Sequence, residues 1–177
     1  MLVTEPIIQI AYVVNNIEEA AAKHHNLFGS GPFFKFERAE HTGEYRGRQV
    51  TYTHSAAFGQ WGDVQLELME RFGEGPSVIH DLYPAGSDRT GIHHMTIFAD
   101  DFDEVTQRLS DNGCPAISRG GLKQWNMRVN FHDTYDLYGH YLEVYEEAEG
   151  MRDFYARVKE HSVGFDGSNL VRPFDTY

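Results

Sequence analysis

The chain has 177 residues, 41% of them hydrophobic with 12 Phe and 10 Tyr, and a formal net charge of −12 from 15 basic and 27 acidic side chains. Such apolar content supports one generous domain or two small modules sharing a core, and excludes a disordered chain. The acidic balance, with no run of Lys and Arg, excludes nucleic acid as a partner and disfavours anionic membranes.

Met1 to Pro6 shows no basic flank leading into an apolar stretch, so no signal peptide is expected. No apolar run nears the roughly 18 residues of a membrane span. The first β-prone run, Ile8-Gln9-Ile10-Ala11-Tyr12-Val13-Val14, leads through Asn15-Asn16 into an acidic helix start. Asn16 is a good N-cap and Glu19 sits three positions on, as in a capping box. A helix is therefore predicted over 17–28, stopped by Gly29. Strands follow near 33–38, 47–58 and 63–70, with breaks at Gly43, Gly59 and Gly62. Residues 71–90 read as a connector with a short helix at 76–82, and Arg71 and Phe72 can prolong the strand before it.

A second β-prone run begins at His93-His94-Met95-Thr96-Ile97 and again meets an N-cap, Asp101, with Glu104 three positions later. This predicts a helix over 102–112, ended by Gly113. The lone cysteine, Cys114, follows in a turn-like stretch; its expected role is packing, and it fits a reducing cytoplasm without disulfides. Strands are predicted at 115–118, 126–132 and 140–146, with breaks at Gly120-Gly121 and Gly139. From Gly150 to His161 a helix is expected, with Phe154, Val158 and His161 near one face. Beyond Gly164 the tail reads as irregular, wrapping the body.

The two halves are copies of one unit. Ile8 to Ala20 matches His93 to Val105 at an offset of 85. Leu66-Glu67-Leu68-Met69-Glu70 matches Leu142-Glu143-Val144-Tyr145-Glu146 at an offset of 76, so the second copy has shorter loops. The chain thus divides into a βαβββ module at 5–70, the connector at 71–90, a second βαβββ module at 91–147, and a C-terminal helix and tail at 148–177. This is an α+β fold built by duplication.

Duplication places one polar group at the equivalent point of four strands. Gln9 matches His94, and Glu67 matches Glu143. If the modules pack about a pseudo-twofold axis, one imidazole, two carboxylates and one amide oxygen converge, a set that suits a divalent ion. Taken singly, His94 reads as a hydrogen-bonded core histidine, either Glu as a solvent-facing strand residue, and Gln9 as uninformative. Their common register favours a shared site. A metal also removes the cost of buried, unpaired carboxylates.

His93 is expected on the opposite strand face from His94. His24, His25, His41, His54, His80, His132, His140 and His161 have no matched partners and read as surface or packing residues; His140, near Glu143, is the one placed to line a cleft. Arg119, Lys123 and Arg128 form a local basic cluster able to steer a carboxylate or phosphate, or a solvated face. Trp61, Trp125, Tyr135 and Tyr138 can wall an aromatic ligand or pack elsewhere.

Gly91-Ile92-His93-His94-Met95-Thr96-Ile97, the Asp100-Asp101 helix start and Gly139-His140-Tyr141-Leu142-Glu143-Val144 resemble the vicinal oxygen chelate superfamily, over roughly residues 5–147. That group includes glyoxalase I, methylmalonyl-CoA epimerase, extradiol dioxygenases and fosfomycin or bleomycin resistance proteins. The resemblance implies a curved, partly open mixed sheet around a metal cleft. It puts the metal ligands on Gln9, Glu67, His94 and Glu143. That set is similar to eukaryotic-type glyoxalase I, whereas methylmalonyl-CoA epimerase usually has His at the position of Gln9. The two-histidine sites of extradiol dioxygenases and fosfomycin enzymes also differ from it.

What the resemblance implies is one divalent ion (Zn, Ni, Co, Mn or Fe) serving a glyoxalase-like isomerase, epimerase or lyase. Glu143 is the first candidate base beside a metal-bound carbonyl or enolate, and Glu67 serves the opposite face. Two other readings compete: a non-catalytic small-molecule-binding protein of the same fold, and a metal-dependent ring-cleaving dioxygenase. The expected partner is a small molecule, anionic or aromatic, and the expected assembly a cytoplasmic homodimer. No glutathione site is visible, and the cleft can form within one chain or across a dimer.

Overall fold

The computed structural model describes residues 5–176. The first half runs β1 (Ile7–Val13), α1 (Ile17–Phe28), β2 (Phe33–Tyr45), β3 (Arg48–Trp61) and β4 (Val64–Phe72). After the short α2 (Val78–Leu82), the second half repeats the order with β5 (Gly91–Ala99), α3 (Phe102–Asp111), β6 (Ala116–Leu122), β7 (Met127–His132), the short α4 (Tyr135–Tyr138) and β8 (Tyr141–Glu146). The chain ends in α5 (Glu149–Ser162) and β9 (Val171–Pro173). No described helix is long and apolar enough to cross a membrane.

The helices start where the sequence says they should. The Asn16 side chain accepts from the Glu19 N–H at 2.7 Å, and Asp101 accepts from Glu104 at 2.9 Å. Each bond satisfies one orphan donor of a first turn. Gly29 closes α1 in the left-handed region at φ 70°.

The strand order is β3-β4-β1-β5-β8-β7-β6-β2-β9, and β2 also pairs with β3. The sheet therefore bends back on itself. β1 and β5, the duplicated first strands, lie antiparallel at the seam, with Gln9 opposite Thr96 and Ala11 opposite His94. Each runs parallel to the closing strand of its own module, β1 with β4 and β5 with β8. Two register pairs, Glu44–Arg119 and Tyr45–Ser118, join β2 to β6. The architecture is the expected curved sheet, closed at that side by a narrow join.

Four glycines read from sequence as breaks, Gly43, Gly59, Gly120 and Gly121, lie inside strands instead. Gly43 belongs to β2, where a Cβ would meet the Arg119 carbonyl oxygen at 2.5 Å. Gly121 belongs to β6, where a Cβ would meet the Met127 carbonyl oxygen at 2.8 Å. Glycine permits close backbone approach, at the barrel join for Gly43 and within the β6–β7 pair for Gly121, rather than ending a strand. β2 bends at Arg38, which adopts φ 46° beside a register shift between Phe36 and Ala39. The tail is also more regular than its composition implies: β9 adds a short parallel strand to Phe33–Lys35.

α5 covers one end of the barrel. Met151, Phe154 and Val158 on its inner face are fully buried, and they join the main core with Phe58, Met69 and Tyr145. A latch tightens the β2–β6 side. The Asp81 carboxylate accepts from the Tyr141 hydroxyl and from Arg46, each at 2.7 Å. The Arg46 end is solvent-exposed and contributes little. Removing Asp81 strands the buried Tyr141 hydroxyl, so Asp81→Ala is expected to destabilise by about 1–2 kcal/mol. Urea unfolding checks this, with Tyr141→Phe expected to remove most of the difference.

Candidate metal centre

The four residues matched by the repeat are all buried, Gln9 at 0%, His94 at 1%, and Glu67 and Glu143 at 5% exposure. They belong to one chain, on β1, β4, β5 and β8, which are neighbours in the sheet. His94 Nε2 lies 3.1 Å from a Glu143 carboxylate oxygen and 3.3 Å from one of Glu67. Neither contact has the geometry of a regular hydrogen bond.

The orientation of His94 comes from its sequence neighbour. Strand alternation alone would send His93 to the opposite face. Instead β5 is irregular there: Ala11 pairs with His94 and Tyr12 with Ile92, leaving His93 without an opposite residue. Such a bulge re-aims side chains, and His93 and His94 both line the same cavity. His93 Nε2–H donates to the Val78 carbonyl at 3.1 Å. That fixes its tautomer, so His93 Nδ1 accepts from His94 Nδ1–H at 2.7 Å. A neutral His94 then presents a bare Nε2 to the two carboxylates. Relays of this kind orient metal-ligating histidines.

Thr96 is the residue the sequence did not single out. Its hydroxyl stands 2.6 Å from Gln9 Oε1 and 2.8 Å from a Glu143 oxygen, one proton before two acceptors. Gln9 Nε2 meanwhile is buried without a partner. Turning the amide over resolves the first: Nε2 then donates to Thr96, Thr96 donates to Glu143, and an acceptor, the amide oxygen, takes the unpartnered position. Gln9 is thus joined to the centre through Thr96, whereas Glu67, His94 and Glu143 line the cavity directly. The only signal for Thr96 in the sequence was its alternation with His94 along one strand.

Charge balance at the centre is unusual. Burial disfavours the imidazolium of His94, yet Glu143 and Glu67 outweigh it and hold the group up at about 9. Burial also raises Glu67. His93, desolvated and next to His94, is pushed down to about 3 and stays neutral. Among the described residues no group of three or more His, Cys, Asp or Glu side chains is arranged as it stands to hold a metal ion. By its chemistry the donor set, one imidazole, two carboxylates and one amide oxygen, suits a divalent ion.

A pH prediction follows for chelator-treated protein. His94 has a folded-state value above its unfolded value of about 6.5, so its contribution is fully present below that pH and lost as pH rises towards 9. The raised Glu67 acts in the same direction. Scanning calorimetry should show stability falling by up to about 3 kcal/mol between pH 6.5 and 9. His94→Gln should flatten that slope, and an equal slope in the variant would contradict the ion-pair geometry.

The centre opens into a cavity of about 330 Å³. Several candidate lining residues are sorted by the structure. Trp125, Arg119 and Lys123 line it, while Trp61, Tyr135 and Tyr138 do not. Arg128 is held outside by Asp103 and Glu146. His140, singled out for its nearness to Glu143, also lies outside; its ring bonds its neighbour's carbonyl, that of Tyr141. His41 and His54, read as surface or packing residues, line the cavity instead. The hairpin register of β2 and β3 decides that, which no matched repeat position could reveal. Cys114 is buried, as packing requires.

The sequence profile of the Glyoxalase/Bleomycin resistance protein/Dioxygenase superfamily matches residues 8–131. No curated protein matches the chain in sequence. Among solved structures, methylmalonyl-CoA epimerase from Mycobacterium tuberculosis is similar at a TM-score of 0.54 and 20% identity, covering 86% of this chain and 97% of that one. A hypothetical protein from Bacillus halodurans C-125 aligns at 0.57 and 19%, covering 83% and 97%. A methylmalonyl-CoA epimerase in complex with methylmalonyl-CoA and NH4+ aligns at 0.52 and 19%, with the same coverage. These likenesses concern the fold. With the profile spanning most of the chain and the duplicated barrel to match it, the chain belongs to the Glyoxalase/Bleomycin resistance protein/Dioxygenase superfamily.

Proposed function

We propose that the protein is a divalent-metal-dependent isomerase, epimerase or lyase that moves a proton at the carbon beside a carbonyl of a small organic substrate. The observation that carries this reading is His94 Nε2, aimed by the His93 hydrogen bond between two buried carboxylates. Gln9, Glu67, His94 and Glu143 would hold the ion. When bound, it supplies Lewis-acid polarisation of the substrate carbonyl.

The protein's own residues perform the proton transfer. Glu143, oriented by the Thr96 hydroxyl, takes or delivers the proton at the adjacent carbon, and Glu67 serves the opposite face. Their burial keeps water from competing for it. The membership of the superfamily and its epimerase-like barrel support the reading. Metal analysis of purified protein, combined with a screen of 1,2-dicarbonyls and 2-substituted thioesters for exchange in deuterated water, tests it. One divalent ion per chain and exchange at the carbon beside the carbonyl are expected. Protein that binds no divalent ion would sink the proposal.

A further inference from the structure

The cavity wall formed by β2 and β3 carries chemistry that this proton transfer leaves unused. β3 turns one face inward, so alternate residues Val50, Tyr52, His54, Ala56 and Phe58 all line the cavity. The hairpin register sets His41 of β2 opposite Tyr52. The three polar rings form a stack, with centroid separations of 4.4 Å for His41–His54, 5.5 Å for His41–Tyr52 and 5.9 Å for Tyr52–His54. Their planes differ by only 20–27°. His54 is buried, and its Nδ1 has no hydrogen-bond partner among the described residues.

Burial, with His41, His93 and His94 nearby, holds His54 well below its ordinary range, so the ring is neutral and carries one donor and one acceptor. Tyr52 is raised by burial and then by Glu143 and Glu67, and Glu143 also acts on His41. The stack and the carboxylates therefore sense each other across one space. The remaining lining is largely apolar, with Phe36, Trp125, Phe131 and Met151. Of the two cations in the lining, Arg119 and Lys123, the first is paired with Glu44 at 3.0 Å.

We propose that the His41–Tyr52–His54 stack is a second recognition subsite, and that the substrate is a planar, conjugated compound with two oxygen functions, one at the metal quartet and one hydrogen-bonded to His54. The first oxygen rests on the function proposed above; the second rests on the stack alone. Flat rings meet a flat ligand face, and a saturated chain would leave His54 unmet.

Calorimetric titration with 2-naphthol and 2,6-dihydroxynaphthalene tests the subsite. The dihydroxy probe is expected to bind about five- to tenfold more tightly. His54→Phe, which keeps a ring and removes both nitrogens, should lower that ratio at least threefold, and His54→Gln should restore most of it; His54→Leu serves as a second deletion if the Phe variant does not fold. An unchanged ratio in the deletions, or no binding of either probe at millimolar concentration, overturns the subsite. Repeating the pair in chelator-treated protein separates the two proposals. A His54-dependent ratio in protein that takes up no metal sinks the metal reading alone, and normal metal uptake with a His54-independent ratio sinks the subsite alone.

Discussion

His94→Ala is expected to lower divalent-metal affinity by at least about 100-fold, since losing a partner of a ligand already costs 10–100-fold. The same change should destabilise the metal-free protein. His94 is the one cation between Glu67 and Glu143 in the centre, and both carboxylates are buried within 3.3 Å of it. Removing one partner of a buried pair costs about 3–5 kcal/mol, or on the order of 10 °C in Tm for a chain of this size. The loss should shrink in acid, where the carboxylates are protonated. Metal analysis and calorimetry read both effects. A variant that retains metal and Tm would show that His94 is only a core histidine.

Glu143→Gln should lower turnover by about 10²–10⁴-fold, the range for removing a positioned general base. The change is isosteric, and the Thr96 hydroxyl can still donate to the new amide oxygen, so folding should be preserved. Glu67→Gln distinguishes an epimerase from a one-sided isomerase. If the carboxylates act on opposite faces, each variant stops epimerisation yet still exchanges the proton of one enantiomer with deuterated solvent. Full turnover by Glu143→Gln with metal bound would remove Glu143 from the mechanism.

The clustering of four polar side chains was legible in the sequence. Gln9, Glu67, His94 and Glu143 stood at matching points of a duplicated unit, and the caps at Asn16 and Asp101 fixed the register independently. Local rules sufficed because capping and strand alternation are short-range. The same alternation failed at His93, where a bulge overrides it. It gave no reason to choose Thr96, a hydroxyl whose importance lies in two acceptors, Gln9 and Glu143, that reach it from neighbouring strands.

Sequence by itself determined the duplicated α+β fold, the helix boundaries and the four polar positions, because repeats and periodicity are carried in the order of residues. Tertiary structure alone decided that the quartet lies within one chain, that His93 orients His94, and that His41 and His54 rather than His140 face the cavity. The facing of His41 and His54 depends on the β2–β3 register, and the aim of His93 on the bulge between β1 and β5. Both are long-range packing choices, fixed by which backbones can approach closely enough to pair.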